Sequence, residues 1–561
     1  MFKKIIIFIF IVFIASVLRL WQLGNIPPSP DWDEAALAYS AYSIMQTGKD
    51  EYGISFPIIL RSFDDYKPAL YSYIAIPFIK IFGLNVIAIR LPSAVFGITT
   101  IIAVYFLMKE LFKNTTLKLE IGNWKLEIPE VAMLLLAISP WHLQFSRIAF
   151  ESNLGLSLNI FAIFLFVKGL KKPMLLPFSA FFLGLSLYAY QSEKVFVPLL
   201  CLILVLVYRK TFFRLPKKYI IFAFFIGIAL TVPIAYYTFT QKAALARAQG
   251  VSIFTESTPF VKQYTKRIVI DKKNHDIFGF FVDNRRIAYV KAVIDGYLSH
   301  YNLYWLFLSG DISRHHAPEM GLLYLWELPF LFIGIYQMVF GFFPKNTKYL
   351  IFLWFFAAPI PASVTTGVPH AVRTLNFLPT FQIFIAIGLI AAFAKISSIK
   401  YQVLNIIGLR YTLISCFLLM FTFNFLYYLN QYFVQQNNFY SESWQYGYKE
   451  AIDDVKKIEN RYQKVIVSNQ PHLDQSYMFF LFYLQYPPNL YQEEAKKNNS
   501  GGFAETHQFG KYIFRPIVWE NEKKDGKTLY VGRQEDFHDS AHVIKKIFFL
   551  NGKAAISIVD G

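Results

Sequence analysis

The chain has 561 residues, of which 55% are hydrophobic, 19% aromatic and only 16% charged, and its mean hydropathy is +0.38. This composition excludes an ordinary soluble protein and favours a membrane protein. The formal net charge is +18 at pH 7, but most of this excess lies in short segments between apolar runs. We therefore attribute it to membrane topology, and we expect no binding to nucleic acid.

Apolar runs long enough to cross a membrane recur along the chain. A hydrocarbon core of about 30 Å needs roughly 20 helical residues. The first run follows Lys3 and Lys4 and lacks a small-residue cleavage site, so it is expected to be a retained anchor. The sequence predicts about eleven spans, at residues 5–23, 86–108, 129–145, 150–167, 174–190, 194–207, 219–240, 320–343, 349–363, 371–394 and 411–430.

The distribution of positive charge predicts the orientation. With a cytoplasmic N-terminus, the inner segments hold 19 Lys and Arg residues against 3 acidic residues, as the positive-inside rule requires. We expect a multi-pass protein of the cell membrane with a transmembrane domain over 1–430 and large outer loops at 24–85 and 241–319. Residues 431–561 then form a small extracytoplasmic α/β domain, because short strand-like runs occur in it, at 464–467 and 512–514.

The first outer loop begins with carboxylates. Asp31 can cap a helix that starts at Trp32 and has apolar residues at amphipathic spacing, so we expect a helix lying in the membrane interface. Asp33 and Glu34 fall in its first turn, where a carboxylate can accept a proton from an attacking hydroxyl group. Stabilisation of the helix N-terminus explains the same charges equally well.

A second polar cluster lies in the same loop, in the sequence Asp64-Asp65-Tyr66-Lys67. Lys67 can neutralise a phosphate while Asp65 holds the lysine in position. The alternative is an interfacial lysine that only meets anionic lipid.

Charged residues recur at the outer turns between the predicted spans. Charges this close to hydrocarbon are costly, which indicates a function. Arg147 and Glu151 stand at helical spacing, so a mutual salt bridge is the alternative for these two. We predict that five residues at these turns bind substrate, namely Arg147, Glu151, Lys194, His370 and Arg373.

The long outer loop carries Gly310-Asp311 and the pair His315-His316. Adjacent histidines point apart on regular structure, which makes this pair a poor signature of a metal site. A divalent metal is possible, but no ligand cluster in the sequence supports one.

The sequence resembles the glycosyltransferase family 39 superfamily, which includes protein O-mannosyltransferases and lipid A aminoarabinose transferases. Four motifs carry the resemblance in order, over about the first 200 residues: Asp33-Glu34, Lys67-Pro68-Ala69-Leu70-Tyr71, Arg90-Leu91-Pro92-Ser93-Ala94, and Ser146-Arg147 through Glu151. The resemblance implies a C-type glycosyltransferase fold, an α-helical polytopic multi-span bundle with interfacial helices. It also implies a cavity open to lipid and to the extracytoplasmic space, and polyprenyl-phosphate sugars as donors.

By that resemblance, Asp33 matches the acidic residue that acts as base or orients the acceptor, and Lys67 matches the lysine that contacts the donor phosphate. Glu151 stands where relatives carry Asp. The chain departs from the pattern at Ala69, where relatives often repeat proline, and at Tyr66, where the aminoarabinose enzymes carry a carboxylate. The second departure leaves the role of Asp65 open.

The sequence therefore predicts a mannosyltransferase-like enzyme of the cell envelope. It would move a sugar from a polyprenyl-phosphate donor to a hydroxyl of a lipid, protein or glycan acceptor, with inversion, and Asp33 and Glu34 would be its catalytic residues. A nucleotide sugar is not expected, because the outer loops show no Gly-rich phosphate cradle. The alternatives are a transporter or flippase for a lipid-linked polar substrate and a non-catalytic envelope assembly protein.

Overall fold

The fold comes from a computed structural model that describes residues 2–63, 65–113, 115–121, 124–240, 250–255, 259–398, 406–495 and 506–561. Within these ranges, six helices are long and apolar enough to cross a membrane: Val86–Leu111, Glu151–Gly169, Glu193–Phe212, Lys217–Thr240, Leu375–Ile396 and Thr412–Tyr440. A seventh span results if Ile128–Ile138 and Pro140–Ser146, which meet at 60°, cross together. These helices make the chain an integral membrane protein.

Four other predicted spans form helices that fall short of the same criterion. The first predicted span forms a 19-residue helix that includes the charges of Lys3, Lys4 and Arg19. The count of eleven spans and their orientation stay predictions, because helices this short or this charged do not settle which segments cross. The four helices are Phe2–Leu20, Leu176–Ser186, Glu327–Phe340 and Lys345–Ala357.

The chain folds into two compact units. The first contains residues 1–18, 96–144 and 152–428, and the second contains residues 19–95, 145–151 and 429–561. The other described α-helices are Trp32–Thr47, Leu70–Phe82, Pro259–Asn274, Ile277–Val282, Arg285–Ser299, Ile360–Ser363, Tyr448–Ile458, Ser476–Leu484 and Pro488–Ala495.

In the first unit, two helices pack backbone against backbone. They are Glu327–Phe340 and Thr380–Ser398. A Cβ atom placed on Gly334 would lie 1.7 Å from the carbonyl oxygen of Phe384, and one on Gly388 would lie 1.9 Å from that of Phe330. Only glycine permits this approach, as in other helix pairs within membranes.

The described strands form two hairpins and one larger sheet. One hairpin pairs β1 (Ile59–Ser62) with β2 (Asp65–Pro68), and the other pairs β3 (Lys118–Ile121) with β4 (Trp124–Glu127). The larger sheet has the order β6-β7-β5-β8-β10-β9, and β5 runs parallel to both of its neighbours while the other pairs are antiparallel. Its strands are β5 (Lys464–Val467), β6 (His507–Phe509), β7 (Tyr512–Phe514), β8 (Thr528–Gly532), β9 (His542–Phe548) and β10 (Ala554–Asp560).

This sheet confirms a small sheet domain in the C-terminal part of the chain and both of the predicted strands. The predicted bounds of 431–561 and the extracytoplasmic location stay predictions. Aromatic side chains fill its core: Trp519 packs edge to face on Tyr530 with 5.3 Å between the ring centroids. Ile466 and Val559 are buried beside them.

The helix Trp32–Thr47 begins as the sequence predicts. The Asp31 carboxylate accepts a hydrogen bond from the backbone N–H of Glu34 at 2.8 Å, and the Glu34 carboxylate accepts one from the backbone N–H of Asp31 at 3.3 Å. This reciprocal capping box satisfies backbone donors that a helix start leaves unpaired. The helix ends at Gly48, whose φ of +70° is left-handed, a conformation that favours glycine.

Candidate active site

Asp33 and Lys67 form an ion pair in the second unit. Asp33 lies in the first turn of the helix Trp32–Thr47, and Lys67 lies on β2, where it pairs in register with Leu60 of β1. The Lys67 side chain is 6% exposed and the Asp33 side chain is 28% exposed. The cation is therefore covered, while its carboxylate partner stays accessible.

Glu151 adds a second carboxyl group beside this pair. It is buried at the start of the helix Glu151–Gly169, and its charge acts on Lys67. Burial lowers the pKa of Lys67, but the carboxylates of Asp33 and Glu151 more than offset this, and the net pKa lies above the usual 10.5. Three predicted residues thus come together in what we call the Asp33–Lys67–Glu151 cluster, with a lysine that is a cation at neutral pH.

Glu34 has quite different surroundings from Asp33, its neighbour in the chain. It is completely buried. One carboxylate oxygen accepts hydrogen bonds from Arg90 Nε at 2.9 Å and from the backbone N–H of Ala149 at 2.8 Å, and the other accepts from Arg90 Nη2 at 2.8 Å. With both oxygens engaged, Glu34 fits a positioning role better than the catalytic role predicted from the sequence.

Arg90 links the motif Arg90-Leu91-Pro92-Ser93-Ala94 to the residues around Glu34. Besides its bidentate contact with Glu34, its guanidinium donates to the carbonyl oxygens of Leu23, Pro27 and Ser29, at 3.1, 2.9 and 2.8 Å. The planar fork of arginine suits several fixed acceptors at once. Arg90 therefore ties the segment before the helix Trp32–Thr47 to the first residues of a membrane span.

Arg147 is buried in a similar way, although the sequence predicts that it binds substrate. Its Nη2 donates to the carbonyl oxygens of Trp21 and Ile26 at 2.7 and 3.0 Å. Its guanidinium carbon lies 5.5 Å from the ring centroid of Tyr432 and 4.9 Å from that of Phe433. These contacts favour a structural role over the predicted contact with substrate.

Asp65 forms part of β2 opposite Ser62. Its side chain lies outside the part of the chain that the structure describes, as does the whole of Asp64. The predicted role of Asp65 in positioning Lys67 stays a prediction.

Lys194 and Arg373 come together in the first unit, where both line a cavity of about 350 Å³. Arg373 Nη1 donates to Thr365 Oγ1 at 2.6 Å and to the carbonyl oxygen of Thr366 at 2.7 Å. Lys194 Nζ lies 3.4 Å from Thr238 Oγ1. Two cations and several hydroxyl groups in one cavity are suited to an anionic group such as a phosphate. His370, the remaining predicted residue, packs against His315 instead, with 5.2 Å between the ring centroids.

Glu193 is a buried polar residue that the sequence analysis did not single out. Its carboxylate accepts hydrogen bonds from the side-chain amides of Asn159 and Asn376, both at 2.7 Å. These bonds join three separate segments of the first unit at the residue that precedes Lys194 in the chain. The sequence did contain a signal for Glu193, because an acidic residue stands at the start of an otherwise apolar span.

The fold defines the class of protein. It is a C-type glycosyltransferase fold, similar to that of ArnT from Cupriavidus metallidurans bound to undecaprenyl phosphate, with a TM-score of 0.55 over 98% of this chain and 97% of that chain. The archaeal oligosaccharyltransferase AglB from Archaeoglobus fulgidus, in complex with an inhibitory peptide and a dolichol-phosphate, gives a TM-score of 0.50 over 95% and 70% of the two chains. Sequence identity is 12% in both cases, so the likeness concerns the fold.

A comparison of the sequence with known protein families adds to the likeness in fold. The profile of the dolichyl-phosphate-mannose-protein mannosyltransferase family matches residues 66–237, which include Lys67, Arg90 and Glu151. No curated protein matches the chain. The resemblance to the glycosyltransferase family 39 superfamily is confirmed, and the two comparisons together support membrane glycosyltransferase activity in general.

Proposed function

We propose that this protein transfers a sugar from a polyprenyl-phosphate donor to an acceptor hydroxyl group on the extracytoplasmic side of the membrane, with Asp33 as the general base. The observation that carries the proposal is the partly exposed Asp33 carboxylate held against the covered cation of Lys67. The undecaprenyl phosphate bound to ArnT and the dolichol-phosphate bound to AglB support a lipid phosphate as carrier. The fold favours this function over a transporter or an assembly protein.

The reaction is a single displacement. The acceptor oxygen attacks the anomeric carbon, the proton of its hydroxyl group moves to Asp33, and the bond from the anomeric carbon to the phosphate oxygen breaks. The polyprenyl phosphate leaves with the electron pair, through an oxocarbenium-like transition state. Attack from the face opposite the leaving group inverts the configuration at that carbon.

Asp33 meets the requirements of a base in this step. It must be ionised and within reach of the acceptor. The ammonium of Lys67 stabilises the ionised carboxylate, and the exposed part of Asp33 is where an acceptor hydroxyl can approach.

Lys67 has a second role in the proposal. An ammonium group has three N–H donors, and the contact with Asp33 needs only one. A fixed cation in a site with little water stabilises the charge that develops on a leaving phosphate. Lys194 and Arg373 are further proposed phosphate ligands, in the cavity of the first unit.

Purified protein incubated with a panel of labelled polyprenyl-phosphate sugars tests the proposal. Asp33→Asn should lower the rate of transfer about 10²-fold to 10⁴-fold, the usual contribution of a general base. Asp453→Asn is a matched control, since Asp453 is an exposed carboxylate in the same unit. Transfer that persists in folded Asp33→Asn protein would show that Asp33 is not the base.

A further inference from the structure

Asp311, His315 and His370 converge in the first unit, outside the Asp33–Lys67–Glu151 cluster. One potential ligand atom from each lies within 4.8 Å of those of the other two. Asp311 Oδ2 is 3.0 Å from His315 Nδ1, and the rings of His315 and His370 are inclined at 40°. Two imidazoles and a carboxylate therefore face a common point.

The site is largely shielded from solvent. The side chains of Asp311 and His315 are 7% and 5% exposed. The Nδ1 atom of His370 is buried and has no hydrogen-bond partner among the described residues. A buried polar atom without a partner is costly, and coordination of a cation would remove that cost.

We infer that Asp311, His315 and His370 bind one Zn²⁺ ion. Zinc prefers a tetrahedral set of nitrogen and oxygen ligands at about 2.0 to 2.2 Å, which places neighbouring ligand atoms ~3.3 Å apart. The observed spacing is close enough for small side-chain rotations to reach this geometry. In doing so, coordination would replace the hydrogen bond between Asp311 and His315.

The surroundings supply the support that a metal ligand needs. The backbone N–H of Ala371 donates to Asp311 Oδ2 at 2.6 Å, which orients the carboxylate as second-sphere bonds do in known zinc sites. The charge of Arg373 also acts on His315 and His370. The Asp311 carboxylate brings an acidic oxygen ligand to the same point.

Zinc would hold two distant loops together. Asp311 and His315 belong to the loop before the helix Glu327–Phe340, whereas His370 lies three residues before Arg373. A bound ion would fix the segment that carries Arg373 into its cavity. Zinc binding itself needs neither donor nor acceptor, and it does not depend on the assignment of Asp33.

The test measures zinc binding without donor or acceptor. Purified full-length protein is stripped with a chelator, dialysed and titrated with Zn²⁺ alone by calorimetry, for the wild type, for His370→Ala and for Asp311→Asn. His538→Ala is the control, because His538 is an exposed histidine outside the site. We expect about one zinc per chain in the wild type and the control, and affinity lowered at least tenfold in the other two variants.

A second measurement distinguishes the loss of a zinc ligand from misfolding of the variant. Zinc should raise the thermal unfolding midpoint of the wild type and of His538→Ala but not of His370→Ala, since only ligand binding to the folded state stabilises it. Wild-type protein without saturable binding would overturn the inference. Equal zinc affinity in wild type and folded His370→Ala would overturn it as well.

Discussion

Glu34 and Arg90 form a completely buried, bidentate ion pair, 56 residues apart in the chain, and Glu34 directly follows Asp33 in the sequence. Removing one partner of such a pair leaves the other as an unpaired buried charge. Arg90→Met should therefore destabilise the protein by about 3 to 5 kcal/mol. Thermal unfolding in detergent measures this, and Arg90→Lys should fail to restore stability because lysine lacks the planar fork.

Glu34→Gln separates a positioning role from a catalytic role. Glutamine is close in shape but loses the ionic contact with Arg90, so we expect a lower unfolding temperature and only a modest loss of transfer per folded molecule. Asp33→Asn should instead lower transfer about 10²-fold to 10⁴-fold in protein that still folds. A Glu34→Gln protein that is stable but inactive would restore Glu34 as a catalytic residue.

Lys67→Met removes the cation of the Asp33–Lys67–Glu151 cluster. The leaving phosphate loses a stabilising charge, and two buried or half-buried carboxylates lose their partner. We expect transfer to fall about 10²-fold or more, measured as kcat/KM for the donor. Lys464→Met is the control, since Lys464 is exposed at the start of β5 in the same unit. An unchanged rate in Lys67→Met would remove Lys67 from the mechanism.

The raised pKa of Lys67 predicts the pH dependence. The folded-state pKa lies above the unfolded value of about 10.5, so the contribution of this cation to stability is complete below that value and is lost as pH rises through the folded pKa. The profile of kcat/KM should therefore show no loss due to Lys67 between about pH 7 and about pH 9. A basic limb in that range that disappears in Lys67→Arg would contradict this assignment.

Gly388→Ala tests the close contact between the helices Glu327–Phe340 and Thr380–Ser398. The added methyl group would lie 1.9 Å from the carbonyl oxygen of Phe330, so the backbones must separate, at a cost of about 1 to 3 kcal/mol. Gly227→Ala is a matched control, because a Cβ atom on Gly227 meets no atom within 4 Å. Equal thermal stability of the two variants would contradict the contact.

Features that depend on neighbouring residues could be predicted from the sequence. Asp31 caps the helix Trp32–Thr47, and the strands at 464–467 and 512–514 form as expected, because capping and alternation act over a few residues. The resemblance implies that Asp33 and Lys67 act on the same reaction, and the structure brings the two side chains together. In each case the signal lies in the local pattern or in the resemblance.

Features that depend on distant pairing could not be predicted. Adjacent histidines do diverge, since His316 Nδ1 lies 3.0 Å from the carbonyl oxygen of Met320 while His315 faces Asp311. The third candidate ligand, His370, comes from a segment more than fifty residues further on. Likewise, no local pattern shows that Arg147 donates to the backbone carbonyl groups of Trp21 and Ile26.

The capping box at Asp31 and Glu34 has a consequence for the timing of catalysis. The same Glu34 that closes the helix N-terminus also holds Arg90, so the turn bearing Asp33 is fixed from two directions before any substrate arrives. The entropy of orienting the base is then lost once, when the chain folds, and not again in every turnover. Changes that loosen this turn should slow the reaction even where they leave every reacting atom in place.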